Sequence, residues 1–192
     1  MESKTPTRET ILTTALGLFS FQGFESTGIQ EIVEKSGITK PTLYHYFGNK
    51  RGLLDAIIAD FGGKLFEIVN RDTEYNHDIV MNLTVLTRDI IHFAVAHPSF
   101  YRLQIALSSA APDSASYQAY LPLREGLSGS IERMFENAVP DHGNMRGRAK
   151  AYSETFMGMV RTWAMLVLNN EIQFDNDMLT RAVHQFMHGI FS

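Results

Sequence analysis

The fold of this 192-residue chain is decided by residues 27–47, which read TGIQEIVEKSGITKPTLYHYF. Isoleucine and valine recur at helical spacing over residues 28–35, and Thr27 is predicted to cap that helix. Gly37 is predicted to end it, because glycine adopts a left-handed backbone without a Cβ clash. A second short helix follows, with Pro41 in its first turn. The segment therefore predicts a helix, a tight turn and another helix.

The second of these helices is predicted to face outward on one side. Leu43 and Phe47 are four residues apart and form its inner face. Tyr44, His45 and Tyr46 are consecutive, so at least one of these rings must face solvent or a ligand. Eight or nine helical residues span roughly 12–13 Å, about the width of a DNA major groove. The helix is therefore predicted to read DNA.

Side chains that suit DNA surround this helix. Base contacts are expected from the hydroxyl of Thr42, the ammonium group of Lys40 and the amide of Gln30. Pro41 offers a rigid apolar contact to a thymine methyl group. Phosphate contacts are expected from donors on the outer face or near a helix start, namely Tyr44, His45, Lys50 and Thr27.

Between about Arg8 and Ile58 the chain resembles the TetR family of repressors. The matching runs are ALGLF (15–19), GFEST (23–27), IQEIV (29–33), SGITK (36–40) and TLYHYFGNK (42–50). Gly28 and Val33 depart from the family pattern, in which a hydroxyl residue and a small alanine are common at these positions. The resemblance implies an all-helical homodimer and contacts to double-stranded DNA through Thr27, Gln30, Lys40, Pro41, Thr42, Tyr44, His45, Tyr46 and Lys50.

Helical periodicity extends through the whole chain, and no stretch shows the two-residue period of a strand. Besides the two helices above, helices are predicted over 7–22, from Asn49 onward, and over 77–96, 99–109, 115–138, 146–170 and 177–190. We predict an all-α fold. An N-terminal three-helix domain, residues 1–52, would bind DNA through the helix-turn-helix, and a C-terminal helical domain, residues 53–192, would bind ligand and form the dimer.

Composition is consistent with a cytoplasmic protein that meets DNA at one end. Residues 1–52 hold six of the 17 Lys and Arg residues and five of the 21 Asp and Glu residues, so the rest of the chain is the more acidic part. The chain has no cysteine, which excludes disulfides and thiolate chemistry and permits a reducing compartment. No membrane span or secretory signal is expected.

A small-molecule effector is expected to bind the C-terminal domain. Aromatic and methionine walls with a few polar groups suit a mostly apolar ligand. The same stripes at helical spacing are more often ordinary core, and this alternative stays open. The candidate ligand-binding residues are Phe93, Phe100, Tyr101, Gln104, Leu107, Tyr117, Tyr120, Met134, Tyr152, Phe156, Met159 and Trp163.

The last two predicted helices carry apolar residues over more than one narrow face. A helix that is buried on two sides needs a second partner beyond its own core. In the TetR family, the corresponding helices pair with their twofold copies in a four-helix bundle. The resemblance therefore implies a homodimer through residues 146–170 and 177–190.

No catalytic, metal or cofactor site is predicted. His184 and His188 have the spacing of a helical metal pair, but no acidic third ligand is evident, so a surface or interface pair is favoured. GxSxG, P-loop and GxGxxG signatures are absent, and an enzyme is not expected. The main hypothesis is a repressor that a small molecule releases from a palindromic operator. The alternative is a helical small-molecule-binding protein that does not bind DNA.

Overall fold

The computed structural model describes residues 8–189, which form ten α-helices and contain no strand. A π-helical turn covers Ile58–Gly62 and a 3₁₀ turn covers Gly143–Met145. The α-helices are α1 (Arg8–Gln22), α2 (Ile29–Ser36), α3 (Lys40–Phe47), α4 (Lys50–Ile57), α5 (Gly63–Asp72), α6 (Ile79–Ala96), α7 (Pro98–Ser108), α8 (Ala115–Asn137), α9 (Ala149–Leu168) and α10 (Asn176–His188).

The predicted all-α class and the predicted order of helices are confirmed. Helix ends differ from the predicted ones by up to three residues, as at the start of α9. The predicted end of the last helix, residue 190, lies outside the described residues. The prediction that Thr27 caps α2 is wrong, because the cap is Gly28 and no side chain closes this helix end.

The described residues separate into two compact units, the first of which contains residues 8–63 and 99–123. Helices α1 to α4 pack around the fully buried side chains of Phe19, Ile32 and Leu53. Gly37 has a φ of 67°, and its N–H donates to the carbonyl of Glu34 at 3.2 Å. This left-handed residue makes the tight turn between α2 and α3 that the sequence predicts.

The second unit contains residues 64–98 and 124–189. Here α6 packs against α9 and α10, and α9 turns a buried stripe inward that includes Phe156, Val160 and Ala164. By length and composition α6 could cross a membrane, since its mean hydropathy is 1.4 over 18 residues, but half of it is buried within this unit. Its contacts are those of a core helix.

The structural units divide the chain at other places than the predicted boundary after residue 52. The first unit continues to Gly63 and includes α7 and the start of α8. A division by compactness does not test which residues bind DNA or ligand. The assignment of residues 1–52 to DNA binding and 53–192 to ligand binding and dimerisation therefore stays a prediction.

Candidate nucleic-acid interface

Helix α3 has a buried side and an exposed side, as its sequence predicts. Leu43 is fully buried and Phe47 is nearly so. Tyr44 and Tyr46 are 45% and 47% exposed, which leaves both phenol rings accessible to a partner. We call the outer side of α3 the recognition face; its residues are Lys40, Pro41, Thr42, Tyr44, His45 and Tyr46, all exposed except the half-buried Thr42.

Local contacts fix the start of the recognition face. The hydroxyl groups of Thr39 and Thr42 lie 3.0 Å apart, and the ammonium group of Lys40 makes no hydrogen bond or ion pair within residues 8–189. Helix α3 contains no acidic residue. The face therefore offers donors and rings without a carboxylate that would repel phosphate.

Carboxylates on the neighbouring helix α2 are engaged by nearby side chains. Glu31 accepts hydrogen bonds from Lys35 at 3.0 Å and Gln22 at 2.6 Å, and these bonds, led by that from Lys35, lower the pKa of Glu31 from its usual 4.5. The amide of Gln30 is exposed and donates to Glu34 at 2.6 Å. Gln30 would have to exchange this bond for one to a base edge.

Thr27 lies inside the protein. Its side chain is 1% exposed, and its hydroxyl donates to the carbonyl of Gly23 at 2.8 Å and accepts from Gln22 at 3.3 Å. The hydroxyl thus satisfies a carbonyl just after α1, which is why it does not cap α2. The phosphate contact expected from Thr27 stays a prediction, and the burial of its side chain does not support it.

Lys50 is bound to the loop before α2. Its ammonium group donates to the carbonyls of Phe24 at 2.7 Å, Thr27 at 3.0 Å and Glu25 at 3.2 Å, and lies 4.4 Å from the centre of the Phe24 ring. An ammonium group has three N–H donors, so the protein uses all of them. The sequence predicted phosphate binding here and missed this role, because no local pattern shows that residues 24–27 fold back onto α4.

Glycine sets the corner between α3 and α4. A Cβ atom added at Gly52 would clash with the carbonyl oxygen of Phe47, so no other residue fits here unless the backbone moves. The side chain of Asn49 caps α4 by accepting from the N–H of Gly52 at 2.9 Å. These contacts hold α3 close to the start of α4. Sequence reasoning found the Asn49 cap but missed Gly52.

The twelve candidate ligand-binding residues are divided equally between the two units. Six lie in the first unit, where Phe100 stacks on Phe61 at 5.6 Å and Tyr120 donates to Gln104 at 3.4 Å, and where all but Tyr117 are buried. The other six lie in the second unit. There the buried members are Phe93, Met134 and Phe156, and the half-exposed ones are Tyr152, Met159 and Trp163.

A half-enclosed cavity of about 430 Å³ lies within the second unit. Of the twelve candidates, only Tyr152 lines it. Its walls come from the start of α6, the end of α8, the loop at 142–145, the start of α9 and the end of α10. Sequence reasoning missed this cavity, because these segments are far apart in the chain and share no motif. Its lining includes Ile79, Val80, Leu83, Phe135, His142, Asn144, Phe186 and Met187.

A second groove, of about 380 Å³, runs between α9 and α10. It contains the candidates Met159 and Trp163 together with Leu166 and Phe186. These apolar side chains of α9 are half-exposed, whereas the opposite stripe of the same helix is buried in the unit. The helix is therefore apolar on two sides, as predicted.

Comparison with known proteins identifies relatives of the first helices and of the whole fold. Residues 11–57 match the model of "Bacterial regulatory proteins, tetR family". The uncharacterized HTH-type transcriptional regulator YxaF of Bacillus subtilis is 42% identical over 67 residues, which is 35% of this chain and 35% of that protein. The aligned part thus covers about a third of this relative.

Two solved structures share the fold over nearly the whole chain. The TetR family transcriptional regulator PfmR from Thermus thermophilus has a TM-score of 0.74 at 18% identity and covers 98% of this chain and 100% of its own. The regulator FadR from Bacillus subtilis, in complex with stearoyl-CoA, has a TM-score of 0.76 at 14% identity and covers 96% and 100%. At these identities the likeness shows the fold alone.

Proposed function

Because this chain belongs to the TetR family of bacterial regulatory proteins, DNA-binding transcriptional regulators that are not enzymes, we propose that it is a repressor that a small, mostly apolar molecule releases from a palindromic operator. The observation that carries the proposal is the recognition face. Leu43 and Phe47 anchor α3, and donors and rings cover its other side. The repressor acts in the cytoplasm.

Within residues 1–52, we assign sequence readout to Thr42, Lys40 and Gln30. Tyr44 and His45 contact phosphate, which fixes the helix in the groove without reading sequence. Pro41 and Tyr46 add contacts at the edges of the same face. The half-exposed Lys50 and the buried Thr27 act through the fold, since their polar groups hold the loop that positions α2.

Dimerisation uses α9 and α10. The half-exposed apolar side chains of Met159, Trp163 and Leu166 form a surface that a second copy can bury. Two copies related by a twofold axis present two recognition faces, so the operator is palindromic, with half-sites about one helical turn or a little more apart. The effector site and the dimer surface lie within residues 53–192, whereas the residues that read DNA lie within 1–52.

The effector binds in the 430 Å³ cavity, which has the size of a typical small-molecule site. Walls that include Leu83 and Phe135 are apolar, whereas His142, Asn144 and Tyr152 offer polar groups. A protein of the same fold holds stearoyl-CoA, which makes a long-chain acyl thioester a suitable first probe. The effector weakens DNA binding by its higher affinity for the conformation that does not fit the operator.

The DNA assignment is tested by selecting binding sites from random DNA with the wild type and three variants. Thr42→Ala is expected to relax the base preference at one position of each half-site. The discrimination against other bases at that position should fall by about 1–3 kcal/mol. Tyr44→Ala is expected to weaken binding to all sequences alike. Thr84→Ala is the control, because its half-exposed hydroxyl only contacts the carbonyl of Val80 in the second unit. The reverse result for Thr42 and Tyr44 would refute the assignment.

The effector assignment is tested by titrating stearoyl-CoA against protein bound to the selected operator. Val80→Trp narrows the cavity, so it should weaken ligand binding and reduce the release from DNA that the ligand causes. The affinity for DNA without ligand should stay unchanged. Val95→Trp is the matched control, because Val95 lies on the same helix and is similarly exposed, at 51% against 46%, but does not line the cavity. Ligand binding by a protein that selects no DNA sequence would favour the alternative, a helical small-molecule-binding protein.

A further inference from the structure

The cavity of about 430 Å³ in the second unit has one polar wall, and its other walls are apolar. Every residue that α6, α8 and α10 contribute to its lining is apolar, and Leu83, Phe135 and Met187 are examples. The polar lining residues all come from the loop at 142–145 and from α9, and they are His142, Asn144, Tyr152 and Thr155. A ligand that fits this cavity therefore has an apolar body and a polar group on one side.

The polar wall offers hydrogen-bond donors and no carboxylate, since no Asp or Glu lines the cavity among the described residues. The side chains of His142, Asn144 and Thr155 make no hydrogen bond in the described part of the chain, so all three are available to a ligand. Arg148, the residue before α9, donates to the hydroxyl of Tyr152 at 3.4 Å. This bond uses one of its five N–H donors and brings a permanent positive charge to the edge of the cavity.

Charge in the loop beside the cavity also favours an anion. Residues 142–148 contain two arginines and no Asp or Glu, although the chain beyond residue 52 is acidic overall. Asp141, which precedes this run, is engaged on both sides. Its carboxylate accepts from the hydroxyl of Tyr75 at 2.8 Å and lies 2.7 Å from Nδ1 of His77. These partners compensate the one negative charge of the loop.

The other carboxylates that neighbour lining residues in the sequence are also engaged or lie elsewhere. Asp78 accepts from a backbone N–H in the first turn of α6 at 2.9 Å, and Glu154 accepts from the hydroxyl of Ser128 at 2.8 Å. Glu136 lines a separate hollow together with Lys150. We therefore leave Lys150 out of the site, and the positive charge at the cavity is that of Arg148.

We propose that the effector is an amphiphile with an apolar body and a compact anionic head, a carboxylate or a phosphate, and that Arg148 binds this head beside His142 and Asn144. The inference rests on the proposed function, because it names the chemical class of the effector proposed there. A guanidinium group matches the geometry of either anion with two parallel hydrogen bonds. The apolar body lies against α6, α8 and α10. An apolar ligand without a head group would leave the donors of the polar wall unpaired, at a cost in affinity.

Calorimetric titration with ligands that share one alkyl chain tests the head group. The ligands are dodecanoate, dodecyl phosphate, dodecanol and dodecyltrimethylammonium, each below the concentration at which it forms micelles. The two anions should bind the wild-type protein roughly tenfold or more tightly than dodecanol, and the cation should bind most weakly. Comparison of the two anions shows whether the head is a carboxylate or a phosphate. Added salt should reduce the advantage of the anions, because it screens the charge of the guanidinium group.

Three variants locate the anion at the polar wall. Arg148→Gln should abolish the advantage of the anions over dodecanol. Tyr152→Phe should reduce it, because the ring keeps its contact with Phe135 at 5.7 Å but the guanidinium group loses its partner. Arg181→Gln is the control for Arg148→Gln and should keep the advantage, since Arg181 is equally an exposed arginine of the second unit but does not line the cavity.

The possible outcomes separate this inference from the proposed function. Equal binding of the anions and dodecanol, weakened for all of them by Val80→Trp, would refute the anionic head and leave the cavity as the effector site. An advantage of the anions that persists in Arg148→Gln, or that Val80→Trp does not affect, would place the anion elsewhere and refute the inference. A wild-type protein that selects no operator would refute the repressor and, with it, the effector role of the cavity.

Discussion

Replacement of Lys50 by methionine should destabilise the fold rather than merely weaken contacts to phosphate. Methionine keeps an unbranched apolar chain over the Phe24 ring but removes the three N–H donors that bind the carbonyls of Phe24, Glu25 and Thr27. Without the ammonium group, these carbonyls lose the bonds that hold the loop before α2 against α4. The recognition helix follows that loop and depends on its position.

The expected loss can be worked out from the three contacts. Hydrogen bonds to charged groups contribute about 1.5–3 kcal/mol each. The three bonds share one group, and water can replace the contact to Glu25, which is exposed. We therefore expect Lys50→Met to lower the free energy of unfolding by about 2–4 kcal/mol rather than by the sum. For a chain of this length the melting temperature should fall by about 4–16 °C.

Thermal unfolding followed by circular dichroism measures this loss, and two other lysines provide controls. Lys35→Met removes an exposed ion pair with Glu31 and should change stability by less than about 1 kcal/mol. Lys40→Met should leave stability unchanged but weaken DNA binding and reduce its salt dependence. If Lys50→Met instead melts like the wild type and lowers the salt dependence by about one unit, Lys50 contacts phosphate and the reasoning is refuted.

Three further predictions concern other parts of the molecule. Gly52→Ala places a Cβ against the carbonyl of Phe47, so the melting temperature and operator affinity should fall together, with a stability loss of roughly 1–3 kcal/mol; an unchanged melting curve would contradict this. The pKa of Asp141 lies below its usual 3.8, chiefly because His77 makes a hydrogen bond to its carboxylate. The ionised carboxylate therefore stabilises the fold above pH 3.8, and this stabilisation is lost as the pH falls through the lowered pKa. Asp141→Asn should therefore melt earlier than the wild type at about pH 6, and acid titration should show the difference closing below pH 3.8. Trp163→Arg should convert the dimer to monomer in sedimentation experiments, and an unchanged dimer would contradict the proposed interface.

The helices could be predicted from the sequence because local chemistry determines where they end. Gly23, Gly37 and Gly48 all have positive φ values, and each follows a predicted helix. Leu43 and Phe47 have the four-residue spacing of an inner face and are buried. Prediction thus succeeded where neighbours in sequence are also neighbours in space.

Prediction failed where structure depends on distant segments. The π-helical turn at 58–62 lies in a segment whose apolar spacing predicts a regular α-helix. Apolar spacing does not show whether backbone hydrogen bonds join residues five apart, as in a π-helix, or four apart, as in an α-helix. The role of Lys50 depends on a loop 23 to 26 residues earlier in the chain. The cavity forms where the loop at 142–145 lies beside the end of α10, and no local pattern shows that these two segments meet.

The central claim is that the recognition face of α3 reads DNA. Hydroxyl-radical footprinting of the wild-type protein and of Thr42→Ala on the selected operator tests this most directly. We expect two symmetric protected segments about one helical turn or a little more apart. The Thr42→Ala protein should protect the same backbone sugars, and it should do so also on an operator with one base changed. Uniform protection without symmetry, or identical base preference in the two proteins, would contradict it.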